Sequence, residues 1–177
     1  NQNRFFTIFS RSFVPITPPF IEFDSVRGTD YFFENEDAVD IEAELTNFDA
    51  VRIPDDVYET MRIEDGIPKY GVDMDETTIV PELGLEGMIS YNKGCYVGQE
   101  IIARIHFRGH IAKRLSGLEL SAELAPGTEL TTTDGKNAGK ITSVTFSPQM
   151  EKHIALGFVR YDYLAEGTIL KAGETEA

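Results

Sequence analysis

LSGLELSAELAPGTELTTTDGKNAGKITSVTFSPQMEKHIALGFVRYDYLAEGTILK, residues 115–171, decides the fold. It contains five short runs rich in apolar and β-branched residues: 115–120, 128–133, 140–146, 153–161 and 168–171. Pro126-Gly127, Asp134-Gly135 and Gly167 lie between or beside them. Short strands at this spacing, separated by turn formers, predict a small all-β barrel or sandwich. The hydrophobic period is different before His110. A boundary is therefore expected near residue 110, with residues 1–110 an α+β segment and 111–177 the barrel.

Immediately upstream, Gly98-Gln99-Glu100 opens a predicted helix with Val97, Ile101, Ile102 and Ile105 as its apolar positions, and Gly109 closes it. Pro54-Asp55-Asp56 starts another, which turns Val57, Tyr58 and Met61 inward and ends near Gly66. Ala38, Ile41, Leu45 and Phe48 recur at helical spacing over about 36–47. Strands are expected over Phe5–Phe13, Phe20–Phe23 and Tyr31–Phe33.

The gross composition narrows the function. The chain has 177 residues, 41% of them hydrophobic, with Phe 12 and Tyr 7, enough for a packed core. Its one cysteine excludes an internal disulfide framework and a cysteine-based metal cage. His106 and His110 are four apart, but no third metal ligand accompanies them, so no metal site is expected. No apolar stretch approaches a membrane span. A reducing cytoplasm is the default compartment. The missing initiator methionine is compatible with a fragment or a processed product.

A net charge of −14 argues against general nucleic-acid binding. The charges are segregated. From Glu22 to Asp65 acids outnumber bases fifteen to three, whereas Lys93–Arg114 holds Lys93, Arg104, Arg108, Lys113 and Arg114 against Glu100 alone. A basic island in an acidic chain is a candidate anion site.

The cysteine lies within that island, in Lys93-Gly94-Cys95-Tyr96-Val97-Gly98-Gln99-Glu100. Its neighbours are loop formers and polar donors, unlike those of a packed core thiol. Lys93 and the start of the following helix place positive charge near the sulfur. Tyr31 and Tyr96 offer rings for stacking on a planar ligand, and Arg104 and Arg108 suit carboxylates.

This octet, continued by Ile-Ile-Ala-Arg at 101–104 and Arg-Gly at 108–109, resembles the signature of the folate-binding iron–sulfur cluster assembly and repair proteins. These are relatives of the aminomethyltransferase (T-protein) of the glycine cleavage system. Arg62–Pro68, Tyr70–Asp75, Pro81–Leu85, Gly139–Ser143, Ser147-Pro148 and His153–Val159 extend the likeness to about residues 26–172. The resemblance implies the C-terminal half of an aminomethyltransferase-like fold, α+β followed by a small β-barrel. It implies tetrahydrofolate or a one-carbon derivative as cofactor, with no resident metal. Iron–sulfur enzymes or assembly proteins are the implied partners. Cys95, Lys93 and Asp73 are then the candidate chemical residues, and Tyr31, Tyr96, Gln99, Arg104 and Arg108 the candidate folate contacts. Two departures stand out: the family's N-terminal part is absent, and the strand Arg27–Phe32 is poor in the expected carboxylate, with Asp30 a weak substitute.

Three readings stay open from sequence. The first is a folate-binding accessory factor for iron–sulfur enzymes. The second is a folate-dependent aminomethyl or one-carbon transferase, in which Asp73 or Asp75 orients an amine unless both merely cap loops. The third is an acidic scaffold for a basic partner. A lone thiolate cannot hold a cluster, so the first requires a partner or a passing cluster.

Overall fold

The computed structural model describes residues 4–8, 21–24, 29–33, 38–48, 50–173 and 175–176. The chain divides into two compact units, 1–54 and 55–177. In the first, β1 (Arg4–Ile8), β2 (Ile21–Asp24) and β3 (Thr29–Phe33) form an antiparallel sheet in the order β1-β3-β2. Tyr31 is in register with Phe6 on one side and Glu22 on the other. The expected strand through Phe13 is realised in β1, and its later residues lie outside the described ones. Helix α1 (Ala38–Asn47) buries Ile41.

The second unit begins with α2 (Asp55–Glu64), whose first-turn Asp55 and Asp56 complement the helix dipole. Gly66, at φ 70°, ends it in the left-handed conformation. The Gly66 N–H reaches Ile63 O at 3.1 Å and the Ile67 N–H reaches Arg62 O at 3.0 Å, a Schellman stop. The inward face of α2 differs from the expected one. Val57 is exposed and Tyr58 and Met61 are half-buried, whereas Arg62 and Ile63 are buried. An arginine takes the inward position because the strand it faces supplies polar partners, described below.

Turns and two short 3-10 segments, Val80–Leu83 and Glu86–Met88, lead to α3 (Gln99–Arg108). Two of its expected apolar positions do not face inward. Val97 and Ile101 are exposed, while Ile102 and Ile105 are half-buried. Val97 precedes the capping Gly98 and so never joins the helix face.

Six antiparallel strands follow: β4 (Lys113–Leu120), β5 (Glu129–Thr131), β6 (Asn137–Ser147), β7 (Lys152–Arg160), β8 (Lys171–Ala172) and β9 (Thr175–Glu176). Their order is β4-β7-β6-β5-β8-β9, and among the described residues no pairing joins β4 to β9 to close the barrel. The strand expected over 168–171 shrinks to β8, with Leu170 buried just before it.

β7 is paired on both edges, by β4 and β6, and is buried on both faces, which explains its unbroken apolar run Ile154–Val159. One face joins a core of Leu120, Leu130, Ala138, Ile141, Ala155, Val159, Leu170 and Ala172. The other packs Ile154 and Leu156 with Leu115, and with Ile63 of α2 and Leu83. β6 and β7 approach so closely that Gly139 is required: a Cβ there would lie 2.0 Å from Phe158 O.

Candidate functional site

The Cys95 loop is shaped by glycine. Gly98 adopts φ 88° as the N-cap of α3, a conformation that costs an L side chain strain. The preceding turn closes when the Gln99 N–H donates to Tyr96 O at 3.2 Å. Cys95 is exposed at this turn and Tyr96 is half-buried. Lys93 Nζ sits 4.7 Å from the Tyr96 ring centroid, a cation–π contact. Lys93, Cys95, Tyr96 and Gln99 thus belong to one short segment leading into α3, in which Cys95 is exposed and Lys93 lies over the Tyr96 ring.

One turn into α3, Arg104 Nη2 donates to Glu100 Oε1 at 3.3 Å in an exposed ion pair. Such a pair is weak in water, so an incoming carboxylate competes for Arg104 at little cost. Arg108 is at the end of α3 and Tyr31 in β3, and their side chains lie outside the described ones. His106 stacks on Tyr91 at 3.8 Å and His110 on Tyr161 at 4.3 Å. No group of three or more metal-ligating side chains occurs among the described residues.

Asp73 lies elsewhere, inside a buried network. Arg62 Nη1 donates to its Oδ2 at 2.7 Å, as does the Lys69 N–H at 3.0 Å. Thr142 and Ser143 hydroxyls donate to its Oδ1 at 2.5 and 2.6 Å. A carboxylate has about four lone-pair sites, and all four are filled here. Burial raises the Asp73 carboxyl, but the Ser143, Thr142 and Lys69 hydrogen bonds and the Arg62 charge outweigh it, leaving it below the usual range. Arg62 is equally engaged: it also donates to Glu59 Oε2, Ile67 O and Ser143 Oγ. Asp75, by contrast, is exposed and accepts from Thr77 and Thr78, the loop-capping arrangement.

Arg62 was not singled out from sequence. No local pattern marks it: Thr60, Arg62 and Glu64 are two apart on a helix and share no single face, although each meets a hydroxyl of β6, at Thr145, Ser143 and Ser147. Thr60 meets Thr145 at 2.8 Å, Arg62 meets Ser143 at 3.0 Å, and Glu64 meets Ser147 at 2.5 Å. α2 and β6 meet across a polar seam.

Lys93 and Arg104 are exposed cations suited to carboxylates, and half-buried Tyr96 offers a ring for an aromatic plane. Two cavities of the barrel are lined by other residues. One, of about 920 Å³, lies between Leu118, Phe146, His153, Tyr163 and Ile169. The other, of about 490 Å³, lies among Lys113, Lys140, Phe158 and Arg160.

Comparison with known proteins places this architecture. Residues 113–173 match the glycine cleavage T-protein C-terminal barrel domain. The chain is related to the glycine cleavage T-protein. The crystal structure of the aminomethyltransferase T of Bartonella henselae superposes with a TM-score of 0.72 over 84% of this chain and 44% of that one, at 20% identity. This likeness to a T-protein shows the shared fold, helices and barrel together. In sequence the chain is 40% identical to a chloroplastic protein of Arabidopsis thaliana over 117 residues, 66% of this chain and 27% of that protein. It is 31% identical to the aminomethyltransferase of Halothermothrix orenii over 62% of this chain and 30% of that enzyme. The chain therefore spans between a quarter and a third of the length of these curated relatives. Among the described residues, no helix is long and apolar enough to cross a membrane.

Proposed function

We propose that this chain is part of a tetrahydrofolate-binding protein that moves a one-carbon unit in the manner of the aminomethyltransferases it resembles. The observation that carries this reading is the extent of the T-protein likeness, which runs through the helical segment into the barrel rather than stopping at the barrel. When bound, folate supplies the one-carbon carrier. In this chain Lys93 and Arg104 would hold its tail carboxylates and Tyr96 would face a ring, with Gln99 fixing the turn that carries Tyr96. Arg108, at the end of α3, belongs to the same proposed set as a second partner for carboxylates. Asp73, with its lone pairs filled, acts as a positioning residue that holds Arg62 and the Lys69 turn. The remaining walls of the pocket come from the rest of a longer protein, as the span of the relatives suggests.

The test is formation of methylenetetrahydrofolate by the full-length protein from an aminomethyl donor. Turnover that falls on Arg104→Ala supports the reading. No product under saturating tetrahydrofolate overturns it.

A second reading rests on Cys95, an exposed thiol beside Lys93 and Tyr96 that amine-to-folate transfer does not need. In it the protein binds folate and supports assembly or repair of iron–sulfur clusters in a client enzyme, in the cytoplasm or an organelle. A thiolate suits sulfur acceptance or transient iron ligation, with the cluster as cargo. Cys95→Ala separates the two readings. Loss of iron–sulfur enzyme activity with the variant's folate binding intact favours this one, and unchanged support by the variant removes it.

A further inference from the structure

Three cations gather on one face of the barrel, with no carboxylate ion-paired to them among the described residues. Lys113 on β4 is directly opposite Arg160 on β7, and Lys140 on β6 is directly opposite Phe158 on β7. Phe158 and Arg160 are two apart on β7, so all four side chains rise from the same face. The register places Lys113 and Arg160 about 5 Å apart at Cα, with Lys140 on the diagonal. Lys113 Nζ lies 4.3 Å from the Phe158 ring centroid, confirming the shared face.

Together they line the cavity of about 490 Å³ with Asn137, Gly139, Thr142 and Glu129. Arg160 Nη1 donates to Asn137 O at 3.4 Å. Among the described residues none of Lys113, Lys140 and Arg160 forms an ion pair, although Glu129 is opposite Lys140 in register. Directly opposed like charges on adjacent strands destabilise a sheet. In a chain of net charge −14, where acids are plentiful, this concentration of unpaired cations is the reverse of what composition alone would produce. A bound anion would turn the repulsion into attraction.

We infer that this face is a binding site for a compact multivalent anion carrying two or more phosphate or carboxylate groups. Three cations on three neighbouring strands match charges a few ångströms apart better than they match one isolated charge. The Arg160 fork takes two oxygens of one group, and Lys113 and Lys140 act as point charges on its neighbours. Glu129 is the one carboxylate on the wall and opposes the ligand, so it sets an upper bound on affinity.

Calorimetric titration of the 177-residue chain with inorganic tripolyphosphate, and separately with a tri-γ-glutamate peptide, tests the site and distinguishes the two anion sources. Binding of either is expected, weakening as salt rises. The double variant Lys140→Ala, Arg160→Ala should weaken it roughly tenfold or more. Lys152→Ala, on a surface lysine paired with Glu119, should leave it unchanged. Glu129→Gln should tighten it, a gain that a folding defect cannot mimic. Binding of neither anion overturns the inference. So does equal weakening by Lys152→Ala, which would mark diffuse attraction, or a Glu129→Gln variant that binds no more tightly than the parent.

Discussion

Arg62 of α2 and Asp73 of the following loop form a buried ion pair, Nη1 to Oδ2 at 2.7 Å, with side chains 4% and 0% exposed. The pair is tied to β6 through Thr142 and Ser143, so one interaction fixes helix, loop and sheet together. Its consequence is asymmetric, because losing either partner strands the other away from water.

Asp73→Ala should therefore destabilise the second unit by about 3–5 kcal/mol, as expected for an uncompensated buried charge. Urea denaturation followed by far-UV circular dichroism measures it. A loss below that of an ordinary surface substitution would show that the network is not a structural clamp.

Acid sensitivity follows from the same carboxyl. Asp73 is held below its ordinary value in the folded state, and Glu59 is lowered too, because burial raises it but the hydrogen bonds and charges of Lys69 and Arg62 together outweigh that. A depressed folded value means the stabilisation is present above the unfolded value, about 3.9 for Asp. It is lost as pH falls through the folded value. Stability should fall from about pH 4 downward, and Asp73→Asn should flatten that fall while lowering stability at pH 7. Urea midpoints at pH 7 and pH 3 check the sign; parallel losses in parent and variant would exclude Asp73 as the source.

Ser147 is fully buried, donates to Glu64 Oε1 at 2.5 Å and accepts from the Met150 N–H at 3.1 Å. Ser147→Ala leaves both without a partner and should cost about 1–3 kcal/mol. A Ser147→Thr variant that keeps the hydroxyl but adds a methyl separates packing from hydrogen bonding in the same melt.

Gly139→Ala brings a methyl to 2.0 Å from Phe158 O, against backbone that cannot yield alone. Separation of β6 from β7 should lower stability by about 3 kcal/mol or more. Faster amide exchange at β7, read by hydrogen–deuterium mass spectrometry, is the expected signature. Native exchange in the variant would show that the strand pair shifts to admit the methyl.

Cys95, exposed on its turn, should react fully with iodoacetamide under native conditions. Cys95→Ala should leave stability within about 0.5 kcal/mol, as for surface substitutions. Slow or partial alkylation would place the thiol under cover.

The amino-acid sequence by itself determined the local elements, because their signals are short-range. Pro54 with two aspartates and Gly66 bound α2; Gly98 and Gly109 bound α3; Pro126-Gly127 and Asp134-Gly135 separate the strands that become β4, β5 and β6. The alternation and apolar runs of Leu115–Arg160 made the sheet legible, and the Cys95 octet made its loop and the family resemblance legible. Tertiary structure alone decided which polar residues turn inward. Arg62 is buried because Asp73, eleven residues on, and Ser143, eighty-one residues on, converge on its guanidinium. Periodicity cannot register that convergence, since an inward arginine breaks the apolar pattern that periodicity reads. Likewise Lys113, Lys140 and Arg160 are scattered along the chain, and only the register of three antiparallel strands makes them neighbours. Hydrophobic pattern is a property of one element, whereas a polar network or a charged face is a property of several, fixed only when their relative positions are fixed.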